Sequence, residues 1–436
     1  YLEMVVCKMV DAHSYKKVKD SGIDWIGSIP ESWNIRTLYQ LVTQVKYKNS
    51  EMQESNLLSL SYGKIKRKDI NSHEGLLPAS FDGYNIIEAG DIVLRLTDLQ
   101  NDHTSLRVGL STERGIITSA YTTLRPINSR HSKYIYYLLH TFDLKKGFYG
   151  MGSGVRQGLT YDEVKELRVV LPSDTEQEAI TAYLDDQCGQ IDSIIDEAKK
   201  SIDEYKAWKV SIIYEAVTKG LNREADFIES GIVWIGKIPS HWKTVSLKQV
   251  ANIQTGGTPP KFEGNDNFSE SGIPWIKPDN LGTHKPIEET AEYISESGSK
   301  YARVFEPNTV YVCCIGSIGK TGFSNIKCSC NQQINALECQ KNMYWKYGYY
   351  AILSQEEQHW FYANGNVLKI LNTTNHGRIK IPLPPLTEQV KIASYLDAKC
   401  AQIEDIISEK QSLISDLESY KRSLIYEIVT GKRKVV

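Results

Sequence analysis

The segment of this 436-residue chain that most resembles chemical machinery is Gly316-Ser-Ile-Gly319-Lys320-Thr321. A phosphate loop of the form G-x-x-x-x-G-K-[ST] needs glycine at the position held by Cys314, so the segment reads instead as a glycine-rich turn between strands. Gly150, Gly152, Gly154 and Gly158 are wrongly spaced for a dinucleotide fingerprint. Glu204-Tyr-Lys206 has the form of half a nuclease motif, but it falls in a helical pattern with no acidic partner in a β context. It reads as solvated helix charge. No Asn-Pro-Pro-Tyr-like tetrapeptide of adenine methyltransferases occurs, and the nine histidines include no H-x-x-x-H pair. Cys313, Cys314, Cys328, Cys330 and Cys339 have the spacing of buried free thiols and lack the C-x₂-C pairs of a zinc site. The expectation is a chain with no catalytic residue, no metal and no cofactor of its own.

Nucleic-acid contact is the chemistry that the polar residues suit better. In the first half, Lys64, Lys66 and Arg67 cluster in a short polar stretch, Arg95, Arg107 and Arg114 sit in or beside β-prone runs, and Arg156 follows in a glycine-rich segment. In the second half, Lys261, Lys277, Lys320 and Lys369 are dispersed among Thr255, Thr258, Asn280, Asn331, Gln332, Gln333 and Asn366. Arginine and lysine match guanine, and asparagine and glutamine match adenine, in the major groove, while other lysines suit phosphate. For any single residue, plain surface polarity is the competing reading.

The elements that must position these residues are written twice. Ser21-Gly-Ile-Asp-Trp-Ile-Gly-Ser-Ile-Pro-Glu-Ser-Trp33 returns as Ser230-Gly-Ile-Val-Trp-Ile-Gly-Lys-Ile-Pro-Ser-His-Trp242, identical at nine of 13 positions. Each copy closes on a second shared segment. Thr175-Glu-Gln177, Tyr183-Leu-Asp185 and Ile213-Tyr-Glu215 recur as Thr387-Glu-Gln389, Tyr395-Leu-Asp397 and Ile425-Tyr-Glu427, at a constant offset of 212 residues. These closing segments carry apolar residues in steps of three and four, which predicts a long helix with one seam. The seam is Leu184, Cys188, Ile191, Ile195 and Ile202 in the first, with Lys209 at a later seam position. In the second it is Leu396, Cys400, Ile403, Ile407, Ile414 and Leu417. Each helix covers about 40 residues, or about 60 Å. Between the shared segments lie two stretches, from about 36 to 165 and from about 243 to 378, that show no evident likeness to each other. Both mix β-prone runs with tyrosine-rich helical patches, Tyr134-Ile-Tyr-Tyr-Leu-Leu139 and Tyr344-Trp-Lys-Tyr-Gly-Tyr-Tyr350. The fold class expected is two α/β (α+β) globular domains joined by an antiparallel pair of long coiled-coil helices, with a pseudo-two-fold internal repeat. A cyclic arrangement of that kind brings residue 431 near residues 12 to 21.

Charge is distributed to match. The formal net charge is −2, but residues 172–218 hold four Lys/Arg against 11 Asp/Glu, and residues 388–430 hold five against eight. The acidic helices leave the globular parts comparatively basic, as a protein that meets phosphate with its globules alone requires. No apolar run reaches the ~20 residues of a membrane span and no leader is evident, so a cytoplasmic protein is expected.

The repeated entry motif before a variable globule, followed by a proline-ended strand, Thr-Glu-Gln and a long helix, resembles the DNA specificity subunits of Type I restriction–modification systems. Gly152-Ser-Gly-Val-Arg-Gln-Gly-Leu-Thr160, Thr255-Gly-Gly-Thr-Pro259 and Ile273-Pro-Trp-Ile276 add smaller matches. The resemblance implies an N-terminal tail (1–20), target-recognition domain 1 (21–171), a spacer helix (172–220), a linker with target-recognition domain 2 (221–381), and a second spacer helix with the C-terminus (382–436). It also implies a non-catalytic reader of a bipartite, asymmetric target in double-stranded DNA. The implied partners are two methyltransferase subunits, which hold S-adenosylmethionine, and restriction/translocase subunits; no membrane is implied. The alternative is a duplicated adaptor that binds protein partners without DNA specificity.

Overall fold

A computed structural model describes residues 14–70, 78, 80–99, 106–151, 158–260 and 267–435. It divides into two units, residues 1–197 with 412–436 and residues 198–411. Four helices carry the architecture: α1 (Ser132–Leu144), α2 (Asp174–Lys219), α3 (Trp345–Leu353) and α4 (Leu386–Val429). No described helix is long and apolar enough to cross a membrane.

Unit 1 begins with the entry motif. Strand Val18–Asp20 pairs with Ser28–Pro30, and the loop between them is closed by the Ser21 N–H donating to Gly27 O at 3.0 Å. Gly27 takes φ +71°, which side-chain-bearing residues rarely adopt. The loop delivers Ile29 and Trp33, both fully buried, to the core. An antiparallel sheet follows in the order Val42–Gln44, Thr122–Pro126, Ile92–Leu94, Val108–Leu110. Ile92–Leu94 is buried throughout, so it reads as a continuous apolar run without alternation. Helix α1 packs over this sheet. Two smaller pairings, Leu58–Ser61 with Lys64–Arg67 and Asn85–Ile87 with Gly115–Ile117, extend outward over their own small apolar clusters.

Unit 2 repeats the frame. Its entry loop closes through Ser230 N–H to Gly236 O at 2.9 Å and buries Trp242. Its antiparallel sheet has the same connectivity: Ala251–Thr255, Ile334–Cys339, Thr309–Cys313, Thr321–Ser324. The outer part differs. It is a five-stranded sheet, Phe268–Ser269, Tyr293–Ile294, Ile273–Ile276, Cys328–Cys330, Val304–Phe305, with a separate core around Phe305, Tyr311 and Cys330. The cysteines here pack as apolar residues, and burial pushes the Cys328 thiol up to about 11 and Cys314 to about 12. Gly316 and Gly319, at φ +80° and +86°, form a turn joining Thr309–Cys313 to Thr321–Ser324.

The long helices contribute to both cores. In unit 1, Leu184, Cys188, Ile191 and Ile195 of α2 are buried with Leu424, Ile425 and Ile428 of α4, and Ile414 and Leu417 pack beside them. In unit 2, Ile213 and Val217 of α2 are buried with Leu396 and Cys400 of α4. Ile202, Ile403 and Ile407 are also buried. The side chain that fastens each helix start is the glutamine of Thr-Glu-Gln: Gln177 Nε2 donates to Pro172 O at 2.9 Å, and Gln389 Nε2 to Pro384 O at 2.8 Å. Those carbonyls precede the helix, so a buried glutamine holds the proline-ended strand against the first turn. Each helix ends on a glycine with positive φ pressed against the entry motif. A Cβ on Gly220 (φ +73°) would lie 2.9 Å from Trp242, and one on Gly431 (φ +70°) would lie 2.3 Å from Pro30. In unit 1 the chain end therefore meets the segment around Trp25 to Trp33, somewhat beyond the 12–21 expected. Tyr426 OH donates to Trp25 O at 3.3 Å, and the Lys432 ammonium donates to Ser28 O.

Candidate nucleic-acid interface

The globules share more than the sequence stretches suggest. Lys133-Tyr134-Ile-Tyr136-Tyr137 on α1 and Lys346-Tyr347-Gly-Tyr349-Tyr350 on α3 recur at an offset of 213, and they dock in the same way. Tyr134 OH reaches Val170 O and Val429 O, both at 3.1 Å. Tyr347 OH reaches Pro382 O at 2.9 Å and Val217 O at 3.5 Å, the same positions one repeat on. Tyr137 OH donates to Asp185 Oδ1 at 2.8 Å and Tyr350 OH to Asp397 Oδ1 at 2.9 Å. Lys133 and Lys346 pair with the same two carboxylates. The Lys-Tyr-x-Tyr-Tyr spacing was the available signal for this docking helix, hidden by divergence on either side. Its effect is to hold each globule rigidly, so that the remaining surface is free to differ.

In unit 2 a chain of hydrogen bonds gathers several of the polar candidates at one edge. Thr255 Oγ1 donates to Asn335 Oδ1 at 2.7 Å, and Asn335 Nδ2 donates to Leu371 O at 2.8 Å. Thr258 Oγ1 bonds the Gln332 side chain. Asn331 Nδ2 meets Gln333 Oε1 at 3.0 Å, Cys314 N–H donates to Gln333 O at 2.7 Å, and Leu371 N–H donates to Cys314 O at 2.9 Å. Segments 255–258, 331–333 and 364–371 thus adjoin, with Gln332, Asn366 and Lys369 exposed. Thr255 serves chiefly to hold the segments together, whereas the Asn331 side chain bonds Gln333 and so folds its own segment. Lys277, Asn280 and Lys320 are occupied elsewhere. Lys277 pairs with Glu292 at 2.8 Å and lies 4.8 Å from the Trp275 ring centroid. Asn280 Oδ1 accepts from the Lys277 N–H at 2.9 Å, and Lys320 Nζ donates to Pro278 O at 2.8 Å.

In unit 1, Lys64 and Lys66 are exposed on the outer hairpin, beside Arg67, which pairs with Glu113. Arg114 pairs with Glu54 at 3.1 Å and with Glu88. The Arg95 N–H donates to Arg107 O at 2.9 Å. Arg107 does not belong to an interface. It is fully buried and donates to Tyr149 OH at 3.0 Å, Arg95 O at 3.1 Å, Thr97 O at 2.7 Å and Asp98 O at 3.1 Å. A guanidinium has five N–H donors; here Nη1 and Nη2 donate to three carbonyl oxygens of its own loop and Nε to the Tyr149 hydroxyl, so it braces that loop. Arg156 and Lys261 lie outside the described residues. Among the described residues no three His, Cys, Asp or Glu side chains converge as a metal site would require.

Residues 239–414 match the family model of the Type I restriction modification DNA specificity domain. The chain is 24% identical over 411 residues to the putative Type I restriction enzyme MjaX specificity subunit of Methanocaldococcus jannaschii, covering 88% of this chain and 90% of that one. It is 25% identical over 288 residues to the MjaVIII specificity subunit of the same organism, covering 62% and 60% respectively. The match to MjaVIII therefore spans less than two thirds of that relative. Among solved structures, one from a study of complex assembly and conformational transition of the Type I R-M system aligns with TM-score 0.69 at 17% identity, over 92% of this chain and 98% of that one. The HsdS subunit of Thermoanaerobacter tengcongensis aligns over the same shares with TM-score 0.50 at 16% identity. At such identities the structures establish the fold.

Proposed function

We propose that this chain is a DNA specificity subunit of a Type I restriction–modification system and that it reads a bipartite, asymmetric DNA target, one half-site per globule. The observation that carries this reading is that one frame is built twice around different surfaces. The buried anchors Trp33 and Trp242, Tyr134 and Tyr347, and Gln177 and Gln389 recur, while the outer sheets and exposed side chains do not. A duplicated adaptor for two identical partners would keep its exposed surfaces alike instead. Half-site reading falls to the basic hairpin Lys64–Arg67 in the first globule. In the second it falls to the edge formed by 255–258, 331–333 and 364–371, whose amides and hydroxyls suit base edges and whose Lys369 suits phosphate.

α2 and α4 act as an antiparallel coiled-coil spacer, and the internal repeat is a pseudo-two-fold. A helix of 46 residues is about 69 Å long. Two methyltransferase subunits dock on this spacer and carry S-adenosylmethionine, a restriction/translocase subunit joins them, and the specificity chain performs no chemistry itself. The complex works in the cytoplasm. The test is methylome sequencing of cells carrying the chain with its methyltransferase partners. One bipartite asymmetric motif should be methylated, and it should vanish when this chain alone is deleted. Methylation that persists without the chain would refute the reading.

A further inference from the structure

We propose that the hairpin Asn364–Ile370 is an apolar wedge that enters the base stack of the half-site read by unit 2; this rests on the DNA-reading function above. The hairpin is closed at its base by Asn364 N–H to Ile370 O at 3.0 Å and Ile370 N–H to Asn364 O at 2.8 Å. Gly365, at φ +134°, allows the return, because a Cβ there would sit 2.0 Å from Leu368 O. The locked tip presents two consecutive aliphatic side chains to solvent: Val367 is 102% exposed and Leu368 54% exposed. Single exposed apolar residues are ordinary on a protein surface. A pair held at the apex of a backbone-locked hairpin, with its ordering entropy already spent, is a prepared insertion.

Duplex DNA is the occupant that the surroundings specify. The hairpin runs directly into Leu371, whose carbonyl is held by Asn335 and so joins it to the polar edge at 255–258 and 331–333. Lys369, beside the tip, lies 5.8 Å from the Trp360 ring centroid and suits a flanking phosphate. Val367 and Leu368 have no side-chain hydrogen-bonding group with which to read a base edge, but aliphatic side chains between base steps recover apolar burial while kinking the duplex. At the repeat offset of 212, Val367 corresponds to Val155 but Leu368 to Arg156, so in sequence the aliphatic pair occurs in the second copy alone. The half-site read by unit 2 should therefore contain a pyrimidine–purine step, the kind that unstacks most easily.

The full chain with its methyltransferase partners is mixed with its own target, identified by methylome mapping, carrying 2-aminopurine at successive positions. Fluorescence should rise at one step of the half-site assigned to unit 2 and at none of the other half-site beyond the methylated adenines. The double variant V367S/L368S should lose that rise and bind about tenfold more weakly, while V155S should leave the unit 2 signal unchanged. Specific binding with no fluorescent step attributable to the hairpin overturns the wedge and leaves DNA reading intact. So does a double variant that keeps its DNA affinity while losing a partner subunit. Absence of specific DNA binding by the assembled complex overturns the underlying function instead.

Discussion

Unit 1 and unit 2 keep the same residues where a side chain anchors one element to another, and differ in the outer strands and the side chains they expose. Tyr134 and Tyr347 each span two carbonyls, at Val170 and Val429 in one unit and at Pro382 and Val217 in the other. Between these anchors, unit 1 carries a basic hairpin whose Arg67 is tied to Glu113, whereas unit 2 carries a polar edge and an aliphatic hairpin. A buried hydroxyl with fixed partners tolerates little change, because leaving it or its carbonyls unsatisfied costs about 1–3 kcal/mol. A surface strand has no such constraint. The two halves therefore diverge in what they present and not in how they are held.

The comparison can be broken most decisively by exchange. Replacing residues 36–165 with the corresponding stretch of a related specificity subunit should rewrite one half-site and leave the other unchanged, as read by methylome mapping. Both half-sites changing, or neither, would show that the units do not read independently.

A smaller difference is acid sensitivity. In unit 2, burial holds His284 and His359 at about 4 and His376 well below its ordinary value; the charge of Lys209 adds to the effect at His284 and that of His359 at His376. In unit 1, among the described residues, burial and Lys421 hold His140 at about 4. The unfolded histidines take up protons below about 6.5 and the folded ones only near 4, so folding stability is present above pH 6.5 and is lost as pH falls through that window. For fully buried His359 the loss is about 3 kcal/mol by pH 4. Hydrogen exchange at pH 7.5 and pH 5 should show amides around residues 355–379 losing more protection than those of α1, and H359F should narrow the gap. Equal loss in both units would remove this distinction.

The smallest effect concerns the helices. Lys421 pairs with Asp192 at 2.7 Å in unit 1, and Lys209 pairs with Glu404 in unit 2. These are the same pair one repeat apart, since each lysine and each carboxylate is displaced by 212. Both carboxylates are about two-fifths exposed, so each pair should contribute only about 0.2–1 kcal/mol. Double-mutant cycles by chemical denaturation should return matching coupling energies. A coupling several-fold larger in one unit would show that the helical contacts, too, have diverged.

Much of this molecule is legible in the sequence, for reasons that are local. The 212-residue offset, the seam residues from Leu184 to Leu417 and the entry motifs all report on nearest neighbours along the chain or on exact recurrence. The turn at Gly316–Gly319 was readable because its glycines sit between β-prone runs. The docking helix was partly readable: both tyrosine patches were visible, but their common register was not, because Lys-Tyr-x-Tyr-Tyr is short and the residues around it differ. The hairpin tip at Val367 and Leu368 is not legible in the sequence, since nothing in composition says which side of a surface such a pair faces.

By itself the sequence determined the duplication, the two long helices, the succession of shared and variable segments, and the absence of recognised catalytic motifs. Tertiary structure alone decided which polar residues remain available. Arg107 and Lys64 look equivalent as letters, yet one is buried and bonded to carbonyls at 95, 97 and 98 and to the Tyr149 hydroxyl while the other stands exposed on a hairpin. Asp185 becomes an anchor only because Tyr137, 48 residues earlier, folds onto it. Burial and hydrogen-bond satisfaction depend on partners brought together by the fold, and the spacing of residue types carries no record of them.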